Sequence, residues 1–335
     1  MKKNVILFLV LCVVSVGAYF VTKSAGKKST MSSLTEERAF TVESPDMIGK
    51  IVVKRQNEKP LVFEKNESNV WMLNEKYRAD EVVVGYMVQV LTKAKMKSIP
   101  SKNASPKLVE RMKDQGIEVE VYNWEGERLK KIYLGSDLQD GNGTYMLLEG
   151  FSQPYAMELP SLGGGLRSRF EQPIERYRDK FIYRDPADKI RSVKVEYHGD
   201  PEASYIIENT LGTLKIMPLS GNMSANKGTG NPVKLKTYLG FFEELGAEIY
   251  YNDFIKKDSL LAIPPFCTIT LTTTDNTVKT YRYWDYDAFV NKKENKTKSD
   301  EAIHIGRFFV HTAEDLLTVQ TGVFGKIFSA YPYFF

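Results

Sequence analysis

The first hydrophobic feature of this chain is an uninterrupted apolar run near its start. The seventeen residues Val5–Val21 carry no charge, and Asn4 and Thr22 extend the uncharged run to nineteen. At about 1.5 Å of rise per residue, a helix of this length nearly matches the roughly 30 Å hydrocarbon core of a bilayer. The pattern predicts a transmembrane signal anchor over residues 1–23. Its apolar and interfacial positions include Val5, Leu9, Val13, Tyr19 and Phe20.

Two other interpretations of this run stay open. The small residues Ser15-Val16-Gly17 precede a potential cut at Ala18, as in a cleaved signal peptide. Cys12 would be the modified residue of a lipoprotein, although Leu11 stands where a small residue is expected. Lysines flank the run on both sides, so charge does not orient the helix, but a very short N-terminal tail normally stays inside. We expect a single-pass protein of the bacterial inner membrane, with residues 24–39 as a tether and the rest in the periplasm.

After the tether the hydrophobic pattern alternates, and it does so twice. Phe40 is followed five residues later by Pro45, and Phe181 by Pro186. β-Branched residues at alternate positions come next in both places, which is typical of a half-buried strand. Those strand positions are Ile51 and Val53 in the first half, and Val193 and Val195 in the second.

The same order of elements follows each of these starts. The first half predicts strands at 60–66 and 70–73, a helix from about Asp80 to Lys95, a hairpin of 117–122 with 129–134, and strands at 145–148 and 155–159. The second half predicts strands at 203–208 and 213–217, a helix from about Pro232 to Leu245, a hairpin of 268–272 with 278–284, and strands at 308–311 and 316–319. Polar stretches at 220–230 and 292–300 predict surface loops.

The helices have assignable starts and apolar stripes. Asp80 is a favourable N-cap, and Pro232 suits a first helical turn. The predicted stripes are Val83, Tyr86, Val90 and Ala94 in the first helix, and Leu235, Tyr238, Leu239 and Phe242 in the second. This series predicts an α+β fold of two tandem copies of a mixed, mainly antiparallel sheet unit with packed helices. We place repeat 1 at 40–178 and repeat 2 at 179–335.

Charge argues against nucleic acid as a partner. The formal charge is +4, but five of the 46 basic residues lie among the first thirty residues without an acid beside them. The remainder carries 41 basic and 42 acidic side chains, so no basic excess is left for a phosphate backbone.

Residues with reactive side chains are few, and their spacing indicates no cofactor and no metal. Cys267 is the one cysteine outside the apolar run and lies in a strand-like segment, which favours a buried thiol. The histidines at 198, 304 and 311 match no zinc pattern. Asp137, Asp140 and Asn142 lack the distal ligand of a calcium loop, so a tight turn is the better interpretation. Asp285 and Asp287 are expected to be solvated at a strand end.

Aromatic residues make up 12% of the chain and cluster in two places. Most such side chains fill cores, but an exposed group would offer a contact surface for a protein or a sugar. The candidate contact residues are Tyr281, Tyr283, Trp284 and Tyr286.

Several of these patterns together resemble a bacterial family of membrane-anchored extracytoplasmic domains of unknown function, often encoded beside gliding-type ABC transporters. The resemblance covers approximately residues 35–335. It lies in the aromatic-to-proline start, the strand at 50–53, Trp71-x-Leu73-Asn74 before a helix, and Leu134-Gly135 followed by Thr144-Tyr145-Met146. The resemblance implies a non-enzymatic envelope protein that binds a membrane or transporter-associated partner. The alternative is a module that binds a glycan or a peptide through exposed aromatics.

Overall fold

A computed structural model describes residues 39–220, 229–290 and 306–335. Within these ranges, no helix is both long enough and apolar enough to cross a bilayer. The predicted anchor, with Val5, Leu9, Val13, Tyr19 and Phe20, lies outside the described residues, as do most of both predicted polar loops. The chain divides between Arg178 and Asp179 into two compact units.

The first unit is built on one nine-stranded sheet of order β4-β3-β2-β1-β6-β7-β8-β9-β5. Its strands are β1 (Lys50–Lys54), β2 (Leu61–Lys65), β3 (Trp71–Leu73), β4 (Tyr77–Arg78), β5 (Lys95–Ser98), β6 (Ile117–Tyr122), β7 (Arg128–Asp137), β8 (Thr144–Leu148) and β9 (Tyr155–Glu158). Its helices are α1 (Glu81–Lys93), α2 (Ser105–Gln115) and the short α3 (Ile174–Tyr177).

The second unit contains an eight-stranded sheet of order β13-β12-β11-β16-β17-β18-β19-β15 and a small sheet of β10 with β14. Its strands are β10 (Phe181–Tyr183), β11 (Ile190–Tyr197), β12 (Tyr205–Thr210), β13 (Thr213–Pro218), β14 (Leu245–Gly246), β15 (Ile249–Tyr250), β16 (Cys267–Thr273), β17 (Val278–Asp285), β18 (Arg307–His311) and β19 (Leu316–Gln320). Its helices are α4 (Pro232–Gly240), α5 (Lys257–Leu261), α6 (Tyr286–Val290) and α7 (Thr321–Phe324).

The two large sheets share one strand order. If β4 at the edge of the first sheet is set aside, each strand of the first sheet corresponds to the strand of the second sheet whose number is ten higher. All strand pairs among the described residues are antiparallel. The prediction of an α+β fold with mainly antiparallel sheets is therefore confirmed.

Turn chemistry explains why the two predicted hairpins form. The turn between β6 and β7 contains Gly126 at φ +81°, and the turn between β16 and β17 contains Asn276 at φ +68°. Gly and Asn tolerate this left-handed conformation better than other residues do. The hairpins lie within three residues of their predicted bounds, because alternating apolar positions set the buried face.

Helix α1 begins as predicted but buries a different face. The Asp80 carboxylate accepts hydrogen bonds from the backbone N–H groups of Val82 and Val83, which confirms the N-cap. The predicted stripe was wrong at Tyr86, which is 42% exposed. Val83 is partly buried but packs against the core, and Val90 and Ala94 are buried as predicted. The fully packed face of the helix consists of Val84, Met87, Val90 and Leu91. Three consecutive valines fit two neighbouring stripes equally well, so contact with the sheet decides which one is buried.

Helix α4 also begins as predicted, with Pro232 in the first turn, and the structure adds Asn231 as its N-cap. Leu235, Tyr238 and Leu239 are buried, which confirms the stripe. The helix ends at Gly240 and not near Leu245, because the chain must turn there to pair β14 with β10.

The equivalent positions of the two halves differ by two residues from the sequence match, which paired Phe40 with Phe181. The N–H of Val42 donates to the Leu91 carbonyl at the end of α1, and the N–H of Asp185 donates to the Phe242 carbonyl just after α4. Counting back two residues from each gives Phe40 and Tyr183, which are 1% and 0% exposed. Phe181 itself is 39% exposed, so Tyr183 is the aromatic that corresponds to Phe40.

Candidate functional site

The aromatic cluster predicted as a contact surface is mostly core. Tyr281, Tyr283 and Trp284 are 5%, 0% and 2% exposed, so the prediction that they contact a partner or ligand was wrong. The hydroxyl of Tyr283 lies 2.7 Å from that of Tyr183, and the hydroxyl of Tyr281 donates to the Ile182 carbonyl at 3.2 Å. Burial raises the pKa of all three of these phenols.

Both faces of β17 are covered, which is the physical reason for this burial. Tyr281 and Tyr283 belong to the main core of the second unit, whereas Trp284 packs in a separate cluster with Leu260 and Phe309. Its indole Nε1 donates to the Ile263 carbonyl at 3.0 Å. Tyr286 is only partly buried, and its ring centroid lies 4.8 Å from that of Phe309.

The first unit exposes an indole that is not among the predicted contact residues. Trp124, in the turn between β6 and β7, is 49% exposed. Its indole Nε1 nevertheless donates to the Asp46 carbonyl at 2.8 Å, so the ring is fixed although it faces solvent. A large aromatic within the polar stretch Asn123-Trp124-Glu125-Gly126 was the signal that could have revealed it.

A glycine allows this turn to lie against the sheet. A Cβ added to Gly49 would stand 2.9 Å from both the Asn123 carbonyl oxygen and the Trp124 Cα. Gly49 also donates its N–H to the Tyr122 carbonyl and accepts from the N–H of Lys65. The close approach of two backbones at Gly49 therefore positions Trp124 where β1 begins and where β2 and β6 end.

Lys65 lies between two indole rings. Its Nζ is 5.0 Å from the ring centroid of Trp124 and 5.1 Å from that of Trp71, its cross-strand neighbour. A cation over an indole stabilises by about 0.5–1 kcal/mol at an exposed site. Among the described residues, no carboxylate lies within ion-pair distance of this ammonium. Lys65 therefore supports one side of the Trp124 ring and keeps hydrogen-bond donors free.

These residues form the rim of a cleft of about 470 Å³. Its lining combines the aromatic rings of Tyr122 and Trp124 with polar side chains of both hydrogen-bonding kinds. Lys50 pairs with Glu64 at 3.2 Å, and both remain about one third to one half exposed. The lining is completed by Gly49, Val52, Lys65, Asn123, Glu125 and Gly126. The arrangement can stack a flat apolar surface on an indole and hydrogen-bond its edges.

An ion-pair network beside the cleft holds β1, β6 and β7 in place. The ammonium of Lys54 lies 2.7 Å from Glu118 and 3.1 Å from Glu120, and Lys131 lies 3.0 Å from Glu118. Burial raises the pKa of both carboxyls, but hydrogen bonds outweigh it. Glu118 accepts hydrogen bonds from Lys54 and Lys131, and Glu120 accepts them from Tyr122 and Lys54. These bonds hold both pKa values below the usual range. These groups are engaged in structural pairs.

The candidate reactive residues are likewise bound in turns or buried. The carboxylate of Asp137 accepts from the Thr144 hydroxyl, and Asp140 pairs with Lys97 at 2.7 Å. Asn142 donates its N–H to Asp140, which confirms the tight turn. Asp285 is exposed and accepts from the N–H of Asp287 at 2.9 Å, where the strand gives way to α6.

Cys267 is fully buried, as predicted, and burial raises the pKa of its thiol. His198 is exposed near Thr268, and burial lowers the pKa of His311. His304 lies outside the described residues. Within the described ranges, no group of three or more His, Cys, Asp and Glu side chains is placed to hold a metal ion.

The turn that corresponds to the Trp124 turn in the second unit contains no aromatic residue. The turn that corresponds to Asn123–Glu127 lies between β16 and β17 and reads Thr274-Asp275-Asn276-Thr277. The two units thus share a strand order but differ at this turn. Comparisons of the chain with protein-family models, with characterised proteins and with solved structures found no match.

Proposed function

We propose that this chain is a non-enzymatic binding protein of the bacterial envelope. The apolar run of residues 5–21 would hold it in the inner membrane, and the two units would lie in the periplasm. The single observation that carries the proposal is the half-exposed but hydrogen-bonded indole of Trp124 at the rim of a polar cleft. Among the described residues, Asp137 and Asp140 are held in a turn and Cys267 is buried, whereas the Trp124 ring is presented to solvent.

We further propose that the two units are tandem copies of one ancestral unit. The shared strand order supports this, because independent sheets of eight strands have very many alternative orders. After such a duplication, one copy can keep a recognition surface while the other serves stability. The Trp124 turn in the first unit and the short polar turn in the second fit that division.

The proposed partner is a membrane or transporter-associated protein, in line with the family resemblance. A photo-crosslinking amino acid placed at Glu125 in the full chain tests this. After irradiation of intact membranes, we expect a discrete adduct with an envelope component. The same probe at Tyr86, which is 42% exposed on α1, serves as the control. An identical adduct pattern from both sites would argue against the cleft as the contact surface.

The alternative is a module that recognises a glycan or a peptide through exposed aromatics. Tyr281, Tyr283 and Trp284 do not support it, because they are buried. Trp124 does, because donors and acceptors surround an accessible ring. This second candidate does not exclude a protein partner that docks elsewhere on the ectodomain.

The membrane attachment has its own test. We expect the intact N-terminal peptide in mass spectra of membrane-extracted protein, and release of a soluble domain when residues 5–21 are removed. A mature N-terminus at Ala18, with the protein in the soluble periplasmic fraction, would instead identify a cleaved signal peptide.

A further inference from the structure

We infer that the cleft at Trp124 binds a glycan, with one sugar ring stacked on the open face of the indole. The inference rests on the proposed binding function of this cleft, but it names a glycan instead of a protein as the occupant. It follows from three properties of the cleft: a fixed aromatic platform, balanced polar groups, and the absence of a strand edge that a peptide could extend.

The platform is organised before any ligand arrives. The indole Nε1 is bonded to the Asp46 carbonyl, and Lys65 lies against the ring. With 49% of the residue exposed, ring surface remains free for a ligand. The C–H face of a pyranose is apolar and complements the electron-rich face of an indole. Since Trp124 is already held, stacking costs little side-chain entropy.

The polar groups match hydroxyls that both donate and accept. Lys50 and Lys65 supply donors, and Glu64 and Glu125 supply acceptors along the same cleft. Two positive and two negative side chains leave no net charge, which favours a neutral sugar over an anionic one. A volume of about 470 Å³ lies within the usual range of small-ligand sites, about 300–1,000 Å³.

A peptide fits this site less well. Extended peptides commonly bind by adding a strand to a free sheet edge. Here β1 is paired on both sides, with β2 and with β6, so its backbone is already satisfied. The lining also contains few apolar side chains, with Val52 as the only aliphatic one, so it lacks the anchor pocket of a typical peptide groove.

The test is a titration of the detergent-solubilised full chain with β-linked tetramers of glucose and of N-acetylglucosamine, followed by tryptophan fluorescence and calorimetry. The chain has three tryptophans, and Trp71 and Trp284 are only 8% and 2% exposed. A bound sugar should therefore change the emission of Trp124. We expect saturable binding of at least one tetramer, weakened about tenfold or more by Trp124→Ala. Lys65→Met, which keeps the aliphatic stem, should weaken it less.

The matched control is Tyr333→Ala. Tyr333 is 46% exposed and lies 5.3 Å from the ammonium of Lys234, so it reproduces the lysine–aromatic pair in the second unit. This variant should bind as the wild type does. Circular dichroism and urea unfolding test whether Trp124→Ala is folded. If it is not, the affinity of Lys65→Met is compared with that of the wild type instead.

The outcomes separate this inference from the proposed function. No saturable response to either tetramer, or a response that Trp124→Ala leaves unchanged, overturns the glycan inference. If an adduct from position 125 then identifies an envelope protein or peptide, the proposed binding function stands without the glycan. If neither a sugar nor an adduct is found, both are overturned.

Discussion

The hydroxyl pair of Tyr183 and Tyr283 gives a sharp test of the second core. The two oxygens lie 2.7 Å apart, and both residues are 0% exposed. Replacing one residue by phenylalanine removes one hydroxyl and leaves the other buried without that partner. An orphaned polar group of this kind costs about 1–3 kcal/mol, whereas removing both partners is nearly neutral.

We therefore expect Tyr183→Phe and Tyr283→Phe each to lower the free energy of unfolding of the second unit by about 1–3 kcal/mol. The double variant should lie within roughly 1 kcal/mol of the wild type. The coupling energy of the cycle is the sum of the two single losses minus the loss of the double variant, so it should be at least about 1 kcal/mol, and residues in contact typically give about 0.5–3 kcal/mol. Burial raises the pKa of both phenols, so both stay protonated at neutral pH and charge does not complicate the cycle.

Urea unfolding of the full chain measures this cycle. Trp284 is the one tryptophan of the second unit, so a background with phenylalanine at Trp71 and Trp124 isolates its signal. With a slope of about 1–3 kcal/mol per molar urea, each single variant should shift the midpoint by roughly 1 M. Single variants that match the wild type, or a double variant whose loss equals the sum of the single losses, would refute the buried pair. If Tyr283→Phe instead lost ligand binding at unchanged stability, Tyr283 would be a contact residue after all.

Four further changes concern the first unit. Asp80→Ala removes the N-cap of α1 and should cost about 1 kcal/mol in urea unfolding, with Asp80→Asn close to neutral; equal losses would exclude the cap as the cause. Gly85→Ala should stabilise α1 by about 0.5–1 kcal/mol, since an added Cβ meets no atom within 4 Å, and a lower midpoint would contradict that open space. Gly49→Ala should displace the Trp124 turn and weaken tetramer binding, which unchanged affinity would disprove. The pKa of Glu118 is held below its ordinary 4.5, so its stabilisation is complete above that value and is lost as pH falls through the lower folded pKa. The unfolding midpoint should drop as pH falls below about 4.5, less steeply in Glu118→Gln, and equal slopes would show that Glu118 is not responsible.

Local patterns anticipated most elements of the fold. Alternating apolar residues located the hairpins, and Asp80 and Pro232 marked helix starts, because these signals act over a few neighbouring residues. Helix α2 was missed. Among its residues only Ser105 and Met112 are buried, so its apolar stripe is too sparse to indicate a helix.

The candidate site could not be located in this way, since exposure depends on what covers a residue. Tyr283 and Trp284 form as good an aromatic cluster as any in the chain, but the core on one face of the sheet and the cluster around Leu260 and Phe309 on the other bury them. Trp124 has fewer aromatic neighbours in sequence. It stays exposed because it lies in a turn at the end of the sheet.

The sequence by itself determined the two halves, their element order and the absence of a basic excess. Hydrophobic periodicity, turn chemistry and charge depend only on the identities of neighbouring residues. Only the tertiary structure decided which face of α1 is buried, which aromatics are core, and that Gly49, Asp46 and Lys65 converge on Trp124. Those residues are separated by up to 78 positions along the chain. Pairing of β1 with both β2 and β6 brings them together, and such long-range pairing leaves no local signal.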